Sequence, residues 1–392
     1  LSPVDALYSQ QWGFTGTHGM RVPGAWDRTT GSGATVAVID TGITSHPDLD
    51  RNVVPGYDFI SDGRAARDGG GRDSNPRDEG DWYAAGECGT AGASDSSWHG
   101  THVAGTVAAV ADSQGVVGVA PNAKIQPIRV LGKCGGSLSD IADAVVWAAG
   151  GTVAGVPANP NPADVINMSL GGSGMCGTTY QNAINAAVNR GVPVVVAAGN
   201  ENQDACNVSP AGAEAPLTVG ASTIADQRAY FSNIGPCVDI FGPGLNVLST
   251  WNTGRRAVNT ISGTSMATPH IAGLLAYLLS IYGSADFEAE GTRAAVDEAT
   301  VQYRAVRSWA AQALAALHPW VPAALRPAWE MWLPAARAPV VAKADDGISS
   351  ALTPKELRRA LLRFASDGML EGLDQTTVNR LAYNNATTTP SM

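Results

Sequence analysis

The feature that most constrains this chain is a set of short runs dominated by apolar and β-branched residues: Val36–Ile39, Lys124–Val130, Val165–Ser169 and Val192–Ala198. Among them lie stretches with helical spacing, Trp98–Val110, Ser139–Ala149 and Thr179–Arg190. Short runs without polar alternation read as strands buried on both faces, and strands linked through helices run parallel. The expected fold is therefore α/β, a mostly parallel central sheet with helices on both faces. In such sheets functional groups gather at the carboxyl ends of strands. Asp40 closes the first run, Ser169–Gly172 follows the third and Asn200 follows the fourth.

The 392 residues, 44% of them hydrophobic, suffice for one large core or a core with an appendage. A net charge of −10 leaves no basic stripe for phosphate contacts, so no nucleic-acid partner is expected. No run of about 18 apolar residues is evident, and no membrane span is expected. The chain begins at Leu1, which suggests a mature form whose signal and propeptide have been removed. Its five cysteines show no metal-type spacing, so disulfides in an oxidising compartment are expected. Cys88 with Cys134 is the favoured pair; Cys206 pairs with Cys176 or Cys237, and one thiol is left over.

Two segments depart from the α/β pattern. Residues 61–97 are rich in Gly, Asp and Ser, and residues 284–351 are rich in Ala, Pro and Trp. The second is read as a mainly helical insertion, with one or two amphipathic helices over Glu288–Leu317, or as a partner-binding arm. Beyond it, Thr353-Pro354-Lys355-Glu356 starts a helix and Val378–Asn384 reads as a last strand. Residues 1–283 and 352–387 are taken as one domain, with 388–392 as a tail.

The chemistry is concentrated in three motifs. Gly263-Thr264-Ser265-Met266-Ala267-Thr268-Pro269-His270 sets a serine just ahead of an apolar helix, where free N–H groups can stabilise negative charge. A serine nucleophile needs a base and a group to orient it. Asp40, in Val36-Ala37-Val38-Ile39-Asp40-Thr41-Gly42, and His99, in His99-Gly100-Thr101-His102, supply candidates. Together with their flanks, and in the order Asp, His, Ser, these motifs resemble the subtilisin-like serine endopeptidases. Gly263 to Ala267 lacks the last glycine of the Gly-x-Ser-x-Gly elbow, which disfavours an esterase of the α/β-hydrolase type. A silent, scaffold-like subtilisin fold is the other alternative, but no triad residue is missing.

The resemblance implies a three-layer subtilisin-like fold, the first half similar to thermitase and bacterial extracellular proteases, the second to proteinase K and the cerevisins. It implies an Asp40–His99–Ser265 triad acting through an acyl-enzyme, with Asn200 donating to the oxyanion and His102 structural. Met266, beside the serine, is expected to be sensitive to oxidation. Ser169, Leu170, Gly171 and Gly172 would line one side of the S1 pocket, and Ala197, Ala198 and Gly199 the other. Gly132, Gly135 and Gly136 would belong to an edge that pairs with extended substrate. A large apolar or aromatic P1 is expected. Calcium is the implied cofactor. One site would use Asp5, Asp48 and Asp112 with carbonyls of Val110, Gln114 and Val116. A second would use Asp239 with carbonyls near Glu214 and Pro216. Apart from the resemblance, the acidic 61–97 segment offers either a third site at Asp62, Asp68 and Asp73 or a solvated acidic surface. Polypeptide substrates, an inhibitory propeptide or protein inhibitor, a monomeric state and secretion (or a vacuolar location) complete the expectation.

Overall fold

The computed structural model describes residues 3–15, 19–24, 26–282, 353–367, 370–371, 373 and 376–382. The helices expected within Glu288–Leu317, like all of the 284–351 segment, lie outside the described residues, as does the tail. The strands are β1 (Thr35–Asp40), β2 (Tyr57–Asp58), β3 (Lys124–Arg129), β4 (Val165–Met168), β5 (Gly172–Ser173), β6 (Val194–Ala197), β7 (Val208–Ser209), β8 (Leu217–Ser222), β9 (Ile240–Pro243), β10 (Val247–Thr250), β11 (Val258–Ile261), β12 (Ser366–Asp367) and β13 (Arg380–Leu381). The helices are α1 (Trp12–Thr15), α2 (Gly63–Ala66), α3 (His99–Ala108), α4 (Leu138–Ala148), α5 (Thr178–Asn189), α6 (Thr264–Tyr282) and α7 (Pro354–Phe364).

The main sheet runs β12-β13-β9-β8-β6-β4-β1-β3-β2. All its pairings are parallel except the edge pair β12–β13. Each of the first four expected runs coincides with a strand of the main sheet to within two residues at either end, as the expected helices do with α3, α4 and α5. Of Val378–Asn384 only Arg380–Leu381 forms a strand, and residues 383–384 lie outside the description.

β1 shows why the sheet is covered twice. Val36 and Val38 join a core cluster with side chains of α3 and α6, whereas Ala37 and Ile39 join one with side chains of α4 and α5. Alternate side chains point to opposite faces, so an apolar run is stable only between two layers of helix. This is the three-layer α/β arrangement. α6 contains an 18-residue stretch, Thr264–Ile281, with mean hydropathy 1.2. It is therefore long and apolar enough to cross a membrane, contrary to the sequence expectation. Because 78% of that stretch is buried inside the fold, it is the central core helix.

Local signals account for the ends of the helices. Ser137 caps α4 by accepting from the Asp140 N–H, and Thr353 with Glu356 forms a reciprocal capping box at α7, behind Pro354. The 61–97 segment is fastened to the sheet by Arg129, whose buried guanidinium donates to Asp58 at 2.7 Å, to Asp68 at 3.4 Å and to the Ala66 carbonyl. A Cys88–Cys134 disulfide adds a covalent tie. Cys206 pairs with Cys237, which decides the alternative left open by the sequence, and Cys176 is the half-buried free thiol.

Candidate active site

Asp40 is fully buried at the carboxyl end of β1, its Oδ1 accepting from the Thr41 N–H at 2.7 Å. His99 opens α3, and its Nδ1 lies 2.8 and 2.9 Å from the two Asp40 oxygens. Close approach of helix to strand requires Gly100, since a Cβ there would lie 2.2 Å from the Gly42 carbonyl oxygen. Thr41 strengthens the junction: its hydroxyl accepts from the Gly100 N–H at 2.9 Å and donates to buried Asp78 at 2.6 Å. Burial opposes a charge on His99, but the Asp40 carboxylate, with smaller help from Asp81 and Asp78, outweighs it and holds the imidazole pKa above the ordinary value.

His102 behaves differently. Its Nε2 donates to the Val247 and Asn259 carbonyls at 3.1 Å each, and burial pushes its pKa down to about 3. It is a neutral core residue. His270, bonded through Nδ1 to the Met266 carbonyl at 2.7 Å, is likewise pushed down to about 4 by burial.

Ser265 lies in the first turn of α6, so its N–H has no acceptor within the helix. Its Oγ donates to the Ser169 carbonyl at 3.1 Å, while Ser169 Oγ donates to the Ser265 carbonyl at 2.8 Å. Asn200, just beyond β6, is held by its carbonyl oxygen, which accepts from the Thr264 N–H at 2.8 Å and the Thr264 hydroxyl at 3.0 Å. Its amide nitrogen is thereby directed towards Gly263, where it stands 3.8 Å from a built Cβ position. Met266 is only 1% exposed.

His99, Ser265 and Asn200 face one open cleft of about 800 Å³. Leu170, Gly171, Gly172 and Ser169 line it, as do Gly135 and Gly136. Tyr180, Met175 and Leu138 join them, apolar side chains that the motifs did not single out. Four of the expected contact residues are not among those that line this cleft. Gly132 packs against α2, where a Cβ would lie 2.3 Å from the Ala65 carbonyl oxygen. Ala197 and Ala198 are buried behind the cleft, and Gly199 abuts Asn233.

The three candidate cation sites differ. Asp5 and Asp48 are buried and Asp112 adjoins them, its N–H donating to Asp5 Oδ1 at 2.9 Å. Burial raises the pKa of both Asp5 and Asp48, and the neighbouring carboxylates raise it further. Asp5 Oδ2 is buried without a hydrogen-bond partner. Among the described residues no three acidic, His or Cys side chains close into a ready cage. Backbone carbonyls of the 110–116 loop would therefore have to complete any site. A hard cation fits such an all-oxygen set.

The other two are corrected. At Asp239 the guanidinium of Arg358 occupies the cation's place, pairing with the carboxylate and donating to the Pro216 carbonyl at 3.3 Å. Glu214 is exposed, its N–H bonded to Gln181. Asp62, Asp68 and Asp73 do not converge: Asp62 caps α2, Asp68 pairs with Arg129, and Asp73 accepts from the Asn75 N–H.

Residues 31–315 match the model of the subtilase family. The chain belongs to the subtilase family. An extracellular protease of Xanthomonas campestris is 58% identical over 289 residues, 72% of this chain and 50% of that protein. The extracellular basic protease of Dichelobacter nodosus is 49% identical over 72% of this chain and 49% of that protein. A fungal relative, the subtilisin-like serine protease Pen c 2 of Penicillium citrinum, is 51% identical over 49% of the chain and 42% of that protein. The chain spans about half the length of the curated relatives it matches. Among solved structures, a protease of Pseudoalteromonas arctica superposes with a TM-score of 0.70 at 52% identity, over 71% of this chain and 87% of that one. Both bacterial and fungal relatives appear, as the two-sided resemblance of the sequence implies. In this subtilase the motifs leave one charged cleft residue unassigned, Asp81 from the 61–97 segment. Nothing in its local sequence, a run of Asp, Glu and Gly, distinguishes it from a solvated turn.

Proposed function

We propose that this subtilase is a secreted serine endopeptidase that cleaves polypeptides after large apolar or aromatic residues. The reading rests above all on the 2.8 Å pairing of His99 Nδ1 with buried Asp40 in the cleft that also holds Ser265 and Asn200. With Nδ1–H engaged by the carboxylate, Nε2 is left as the basic nitrogen. Substrate binding would turn the Ser265 hydroxyl from the Ser169 carbonyl towards it, a tightening common when an apo site closes on substrate.

Ser265 Oγ then attacks the scissile carbonyl and its proton passes to His99. The oxyanion is met by the Ser265 N–H and the Asn200 amide. His99 returns the proton to the departing amine, leaving an acyl-enzyme, and a water activated by the same imidazole releases the acid. Apart from His99 and Asp81 the cleft is lined by uncharged residues, Leu170 and Tyr180 among them, which supports an apolar P1. Extended substrate would lie along Gly135 and Gly136 on one side and the 170–172 segment on the other.

Asp5, Asp48 and Asp112, with carbonyls of Val110, Gln114 and Val116, would hold a structural calcium ion, whose charge would offset three crowded carboxylates. Residues 1–283 and 352–387 are taken as one catalytic domain acting as a monomer, its activity held back before export by a propeptide or inhibitor.

Labelling with a fluorophosphonate probe tests the reading. A single adduct at Ser265, lost in Ser265→Ala and accompanied by casein hydrolysis, is the expected result. Folded protein that gives neither adduct nor hydrolysis would establish a scaffold instead.

A further inference from the structure

Besides His99, one charged side chain lines the cleft, and it comes from the segment that the motifs leave unassigned: Asp81. Its position is built rather than incidental. The Ser97 N–H donates to Oδ1 at 2.6 Å and the Ser97 hydroxyl to Oδ2 at 2.8 Å. The preceding residue is pressed onto the same strand of chain: Gly80 has φ +88°, and a Cβ on it would lie 2.4 Å from Ser96 Oγ. Two short segments, 80–81 and 96–97, are thus clamped beside the imidazole of residue 99. The electrostatics agree, since Asp81 is among the charges that favour protonated His99.

The neighbouring cations are occupied elsewhere. Arg77 pairs with Glu79 at 3.5 Å, while Arg67 stacks 3.9 Å over Trp82 and donates to the Gly80 carbonyl at 3.2 Å. Among the described residues Asp81 has no ion-pair partner. A carboxylate keeps lone pairs to spare after accepting two bonds.

The same cleft has an apolar wall that includes Leu170, Gly171 and Tyr180. Successive side chains of an extended peptide point to opposite faces. When P1 enters the apolar pocket, its immediate neighbours P2 and P1′ turn towards the His99 wall, where Asp81 stands. We propose that Asp81 selects a lysine or arginine in the substrate at one position flanking P1, so that the favoured cleavage sequence joins an apolar P1 to a basic neighbour. This rests on the endopeptidase reading above and adds a second determinant to it.

Internally quenched peptides that share one apolar P1 and carry Lys, Arg, Gln or Leu at P2 or at P1′ provide the test. At one of the two positions the wild-type kcat/KM for Lys or Arg should exceed that for Gln by about fivefold, the upper end for a partly exposed ion pair. The ratio should shrink in 1 M salt, approach one in Asp81→Asn, and persist in Asp81→Glu. Because the ratio is taken within one enzyme, altered support of His99 or partial unfolding moves both peptides together. Equal rates in wild type, or a preference that survives in Asp81→Asn, overturns the proposal. If the variant does not fold, the wild-type ratio at low and high salt decides alone. No cleavage of any peptide, with no fluorophosphonate adduct, would instead overturn the endopeptidase reading itself.

Discussion

Pro269 has no N–H to offer the Ser265 carbonyl four residues earlier in α6, and Ser169 Oγ satisfies that carbonyl at 2.8 Å. A helix-breaking residue near the start of the core helix thereby ties Ser265, the proposed nucleophile, to Ser169 of the proposed S1 wall. The second constraint is Thr264, which holds Asn200 by its carbonyl oxygen and leaves the amide for substrate. Asn200→Leu should lower kcat about 100- to 1000-fold with KM little changed, the loss a subtilisin shows on losing such a donor; steady-state kinetics on a chromogenic peptide checks it. The third is the field at His99. Its raised pKa means the base is lost by protonation already above pH 6.5, so kcat/KM should fall as pH drops through a midpoint above that value. Asp78→Asn removes one charge that favours the imidazolium and should move the midpoint down in a pH–rate profile. Asp40, His99, Ser265 and Asn200 were legible because each stands in a distinctive run of neighbours. Asp81 was not, because what gives it meaning is Ser97 sixteen residues away, a contact with no periodicity to announce it.

At the scale of elements, β3 ends in a residue that breaks the usual rule for a buried strand. Arg129 lies with Asp58 in the interior and anchors the 61–97 segment. Burial pushes the Asp58 carboxyl up to about 7, against the pull of the Ile60 N–H and Arg129. Arg129→Met strands that carboxylate and should cost about 3–5 kcal/mol, most of it recovered when Asp58→Asn is added. The sign with pH follows from the raised pKa. The folded protein holds the Asp58 proton more tightly than the unfolded chain, so the single variant's deficit should be smaller at pH 5 than at pH 8. Urea melts of the Ser265→Ala background, which excludes self-digestion, would show both effects. The central strands and α3–α5 could be read from the sequence because burial on two faces imposes uninterrupted apolar runs. The 61–97 segment could not, since a guanidinium, a disulfide and turn-forming carboxylates fix it, and these leave no repeat.

For the whole molecule, the question is where charge needs a metal and where the chain supplies its own cation. At Asp239 the answer is internal: Arg358, delivered by α7 from beyond residue 350, takes the carboxylate and the Pro216 carbonyl together. Similarity of the segment around Asp239 suggested calcium because a motif records the ligand and not the distant residue that displaces the ion. Among the described residues no cation takes that place beside Asp5, Asp48 and Asp112; burial and the neighbouring carboxylates raise the pKa values of Asp5 and Asp48, and one Asp5 oxygen lacks any partner. Removing a bound cation from that site would return its binding free energy as lost stability, about 4 kcal/mol at a thousandfold excess over Kd. In the Ser265→Ala background, EDTA should therefore lower Tm, and calcium should restore it. Asp112→Asn should weaken the response, whereas Arg358→Gln should lower Tm equally with and without calcium. A Tm indifferent to calcium in the parent would mean that Asp5 and Asp48 take up protons instead, and stability would then rise as pH falls towards their raised pKa values.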